Sequence, residues 1–151
     1  MDNGLSIEFL ILANHAEIVN GLLYVSGGCW TEHQRVTVLG QPIPNSHLGI
    51  ALSVLVPWNN TNEQSTIEIR IENEDATEVV FQTSASITTG RHPALSPGAD
   101  QHAALGLSVD IVFPHAGGYR IVATLNGDNT TMRRWAFRVH DLPAIVASAV
   151  Q

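Results

Sequence analysis

Apolar side chains recur at every second position along much of this 151-residue chain. From Thr66 to Asn73, Ile67, Ile69 and Ile71 alternate with Glu68, Arg70 and Glu72. Successive side chains of an extended strand point to opposite faces, so this order offers one face to a core and the other to water. Helical spacing is hard to find over any window long enough to build a helix. The chain is therefore predicted to be all-β. The same alternation turns Leu105, Leu107, Val109, Ile111 and Phe113 inward on one strand, Tyr119, Ile121, Ala123 and Leu125 on the next, and Trp135, Phe137 and Val139 on the last. Residues 7–13, 22–26, 48–56 and 78–87 supply four more strands, and 48–56 is apolar enough to be covered on both faces.

Turn chemistry punctuates these strands. Asn20-Gly21 and Asn126-Gly127 can take the positive φ angles of tight hairpin turns. Pro114 with Gly117-Gly118 marks a third hairpin between the strands ending at Phe113 and starting at Tyr119, and Pro114 to Tyr119 has the look of a tyrosine corner. Seven or eight short strands close a two-sheet antiparallel sandwich of immunoglobulin-like type, with a small barrel as the alternative. Residues 31–46, 57–65 and 88–103 resist the alternation and read as long connections. The domain is expected over 1–140. Residues 141–151 form a small apolar tail, expected to fray or to add to a sheet edge of this subunit or a neighbour.

Composition narrows the function classes. With 44% hydrophobic and 14% charged residues, the chain suits one globular domain. Fourteen carboxylates face seven arginines, the formal charge is −7, and there is no lysine. General nucleic-acid binding needs a basic face, and Schiff-base chemistry needs a lysine, so neither is expected. The single cysteine, Cys29, cannot form an intrachain disulfide and is expected to be half-buried beside a core tryptophan. A reducing compartment, the cytoplasm, follows as the expectation. The start shows no basic leader, and no apolar stretch reaches membrane-spanning length.

No nucleophile elbow and no phosphate cradle is present. Seven histidines lack paired spacing and read as turn and surface groups; the metal or enzyme alternative would gather His92, His102 and Asp100, with His115 near. Glu72, Glu74 and Asp75 fall at a strand end, where charge keeps a turn solvated. Arg120, Arg133, Arg134 and Arg138 read as a solvated sheet face that offsets the negative charge. Trp58 stands at the mouth of a loop rich in asparagine, combining a flat stacking surface with amide donors. The leading expectation is a non-enzymatic binding or assembly module without cofactor or metal. Its contact surface would comprise Trp58, Asn59, Asn60, Asn62, Arg91 and His92, and it would recognise a protein or small ligand at one end of the sandwich. A structural homo-oligomer, joined by sheet edges or the tail, is the other alternative.

The opening from Ile7 to Trp30, the loop Pro57-Trp-Asn-Asn-Thr-Asn62, the loop Gly90-Arg-His-Pro-Ala-Leu-Ser-Pro-Gly98 and the turn Pro114-His-Ala-Gly-Gly-Tyr119 carry a resemblance. Together they resemble a bacterial family of uncharacterised β-sandwich proteins, classed only as a domain of unknown function. The likeness spans nearly the whole chain and implies a β-sandwich. Members usually carry Asp where this chain has Asn14, and Lys where it has Leu22. An asparagine in place of a carboxylate implies a structural or binding role for that position.

Overall fold

The computed structural model describes residues 4–144. They are all-β: nine strands and one 3-10 turn, with no α-helix among the described residues. The strands are β1 (Ser6–Val19), β2 (Leu22–Gly28), β3 (Glu32–Thr37), β4 (Ser46–Val56), β5 (Gln64–Asn73), β6 (Val79–Thr88), β7 (Gln101–Ile111), β8 (Gly117–Leu125) and β9 (Asp128–Pro143). They form two sheets, ordered β2-β1-β4-β7 and β3-β9-β8-β5-β6. The inward residues of both sheets meet in one core. Ile67, Ile69 and Ile71 of β5 and Leu48, Ile50 and Leu52 of β4 all belong to it, each at most 1% exposed. The aromatic end of this core joins Phe113 to Tyr119 at 4.8 Å and to Phe137 at 5.7 Å between ring centroids.

Both asparagine-glycine turns take positive φ at each position, 51° and 77° at Asn20-Gly21, 51° and 69° at Asn126-Gly127. The second turn is tied to β5 as well: Asn126 donates its backbone N–H to Thr66 O, and its side-chain oxygen accepts from the Thr66 N–H. The turn before Tyr119 is different from the expected hairpin. β7 lies in one sheet and β8 in the other, so Pro114 to Ala116 carry the chain across the core. Tyr119 closes this corner by donating its hydroxyl to His115 O at 2.6 Å. Burial raises its phenol above the ordinary value, and the bond to the His115 backbone opposes that rise.

Residues 31–46, expected to be a long connection, contain β3, which pairs parallel with β9. Its sequence, Glu-His-Gln-Arg-Val-Thr, has no alternating apolar set. Neighbours hold it instead, since Arg35 is buried with its guanidinium donating to Asp141 and to the Phe113 carbonyl. The last strand accordingly continues through Asp141, Leu142 and Pro143, and Ala144 N–H bonds Thr37 O. The expectation for the tail beyond residue 144 falls outside the described residues.

β4 is covered on both faces, as its apolar run suggested. The second cover is supplied by its own sheet. β1 pairs with β4 only from Ser6 to Ala13, and its remaining half pairs with β2. That half folds across the outer side of β4 and β7, at two glycines. A Cβ on Gly49 would stand 2.5 Å from Ala16 N, and one on Gly106 would stand 2.7 Å from Leu23 Cδ1 and 3.1 Å from Glu17 N. Ser108 fastens the crossing: its hydroxyl accepts from Ala16 N–H at 3.0 Å and lies 2.9 Å from Ala16 O.

Candidate functional site

The 57–63 loop leaves β4 through Pro57 and winds into the 3-10 turn Trp58–Asn60, stitched by Asn60 N–H to Pro57 O. Thr61 donates its hydroxyl to Trp58 O at 2.7 Å, and Asn62 takes φ +64° while its N–H reaches Thr89 O. An asparagine tolerates this left-handed conformation, and here it turns the loop toward the strand following it. Arg91 comes from the 89–100 loop and lies over the indole, with Cζ 4.0 Å from the ring centroid. Its Nη2 donates to Trp58 O at 2.6 Å and its Nε to the Thr61 hydroxyl. A guanidinium held over a ring by two hydrogen bonds is a fixed cation, and Arg91 is exposed as a residue.

The other expected site residues divide. Asn59 and Asn62 are exposed beside this pair, whereas Asn60 is buried at 8% exposure with its amide near Glu63 at 3.4 Å. His92 turns into its own loop, accepting from Ala94 N–H at 3.1 Å. His102 pairs with Glu8, 2.8 Å away, and Glu8 also accepts from the Ser53 hydroxyl. The bond from Ser53, followed by that to His102, holds the Glu8 carboxyl below the usual range. The grouping of His92, His102 and Asp100 expected for a metal site is thus not assembled: no three His, Cys, Asp or Glu side chains converge to hold a metal among the described residues.

Three further expectations change. Cys29 is exposed at φ +69° rather than half-buried. Glu72 is 3% exposed, not solvated, with Arg70 at 2.9 Å and Arg120 at 3.5 Å. The outer face of β5, β8 and β9 is knit by ion pairs, Arg138 with Glu74 included, but the four arginines expected on one solvated face do not share it: Arg133 lies on the other side of β9 and donates its Nε to Ile7 O at 3.0 Å. A histidine cluster that spacing could not reveal forms on the outer side of β4 and β7. His15 Nδ1 lies 3.3 Å from His47 Nε2, and His47 Nδ1 lies 2.9 Å from Asp110. A groove of about 540 Å³ opens at the opposite end of β4 from Trp58, between Arg35, Val38, Leu39 and Ile43.

A family model described as a family of unknown function, DUF6941, matches residues 8–140. The chain belongs to this family. The match takes in seven strands whole and most of β1 and β9, and the Trp58 and Arg91 loops lie inside it. No curated protein sequence matches. Among 36 matching chains of solved structures is the Pseudomonas fluorescens alkylpurine DNA glycosylase AlkC bound to DNA containing an abasic site analog. It is 12% identical, with a TM-score of 0.41 over 90% of this chain, and the chain spans 30% of the glycosylase's length. That similarity carries none of the glycosylase's chemistry to the DUF6941 chain. No helix among the described residues is long and apolar enough to cross a membrane.

Proposed function

We propose that this DUF6941 domain is a non-enzymatic binding module that recognises a protein or small ligand through the end of the sandwich bearing Trp58 and Arg91. One observation carries the reading: the Arg91 guanidinium lies over the Trp58 ring while donating to Trp58 O and Thr61. Two loops separated by about thirty residues thereby form a single preorganised surface, and rigidity lowers the ordering cost of binding. Asn59 and Asn62 add exposed amides on its rim. Tryptophan and arginine are the residue types that most often dominate binding energy. The lone exposed thiol is compatible with the cytoplasm as its place of work.

The test compares partners recovered from the native host by the wild-type chain, by Trp58→Ala/Arg91→Ala and by Asn59→Arg. Folding of each variant is checked by circular dichroism. The double variant is expected to lose at least about 2 kcal/mol of binding, roughly thirtyfold. Asn59→Arg removes no contact within the lock and is expected to weaken the same partner by obstruction. Unchanged recovery by both folded variants would refute this surface.

A further inference from the structure

From β2 and its free edge, we infer a homodimer in which this strand pairs antiparallel with β2 of a second copy, joining two four-stranded sheets into one of eight. Among the described residues β2 is the end strand of its sheet. Edge strands invite pairing by another chain, and proteins usually protect them with charge, proline or cover. Here, among the described residues, that protection is missing. From Ile18 to Thr31 there is no aspartate, glutamate, arginine, histidine or proline. Leu22 is 61% exposed, Tyr24 51% and Val25 37%, beside Ile18 and Val19 at about the same level as Val25. The other edges differ. β3 carries Glu32, His33 and Arg35, and β7 carries His102 and Asp110. β6 is uncharged but turns Gln82, Ser84, Ser86 and Thr88 to solvent.

Two features favour a second copy as the occupant. The first is charge: the whole chain carries −7, so two copies repel wherever carboxylates approach, and this edge brings none to the contact. The second is the order of side chains along the strand. Gly27 takes φ +60°, which ends the regular extended backbone and leaves Leu22 to Ser26 as the pairing stretch. Antiparallel self-pairing of these five residues is centred on Tyr24. Leu23 then meets Val25 of the second copy, Leu22 meets Ser26, and the two Tyr24 side chains lie on the two-fold axis as an aromatic cross-strand pair. Glu17 is the β1 partner of Tyr24. The two copies of Glu17 stand three strand spacings apart, about 14 Å, which exceeds the screening length of about 8 Å at physiological salt.

The test measures the mass of the full chain in solution from nanomolar to high-micromolar concentration, with Cys29→Ser as background. A concentration-dependent dimer is expected. Tyr24→Lys places like charges directly opposite on the axis and is expected to raise the dissociation constant at least about tenfold. Gln82→Lys, on the β6 edge, should leave it unchanged. Tyr24→Cys should crosslink to itself under mild oxidation, because residues opposed across antiparallel strands have Cα separations that a disulfide spans. A monomer at every concentration, or a dimer broken by Gln82→Lys and not by folded Tyr24→Lys, would overturn the proposal. Self-crosslinking through Val25→Cys in place of Tyr24→Cys would overturn the register.

Discussion

Gly49 and Gly106 decide how closely the β1–β2 hairpin can lie on its own sheet, and neither owes its place to a positive φ. At Gly49 the obstacle to a side chain is the His15–Ala16 backbone, which cannot step aside as a flexible side chain could. Gly49→Ala is therefore expected to destabilise the fold by about 1–3 kcal/mol, the usual range for overpacking, measured by chemical denaturation. Gly40 provides the contrast: it has open space around its Cα and φ +81°, so alanine there strains only the backbone. A glycine inside an alternating stretch does signal a close approach, but the sequence gives no hint of which backbone approaches it. The same holds for Trp58 and Arg91. Trp58 stands out by its stacking surface, and its contact with Arg91 depends on a loop-to-loop approach that spacing does not encode.

Strands with one wet face were legible because their pattern repeats, as at Ile67, Ile69 and Ile71, and the turns were legible because few residues besides Asn-Gly accept two positive φ angles. β3 was not, because its fitness for a strand comes from Asp141 and the Phe113 carbonyl, which reach Arg35 from remote sequence. The step from β7 to β8 crosses between sheets instead of forming the expected hairpin for a related reason: a turn that changes sheets carries the same prolines and glycines as one that stays. The β8–β9 turn allows a quantitative check. Asn126→Ala removes the acceptor for Thr66 N–H and places alanine at φ 51°. A loss of about 1–2 kcal/mol is expected from the lost hydrogen bond and the backbone strain. Asn126→Gly, which relieves the strain alone, should recover part of it.

Across the whole molecule, two titrating groups should shape stability in separate pH windows. Burial, with Arg35 adding to it, lowers the His33 imidazole below the ordinary histidine value. The unfolded chain then binds the proton more readily, so this group withdraws stability as pH falls below about 6.5. Glu8 has a lowered carboxyl, so its contribution is present above the unfolded carboxylate value and disappears as pH falls through the folded one, below about 4.5. Denaturation followed from pH 8 to pH 3 should show both slopes. His33→Gln should flatten only the upper one and Glu8→Gln only the lower. The parallel β3–β9 pair bears on synthesis as well as on stability. Arg35 meets Asp141 only after about a hundred further residues have left the ribosome, so this edge of the sheet is completed late. Until then a nascent chain presents β3 unpaired, and chaperones that shield open strands would have their longest opportunity there.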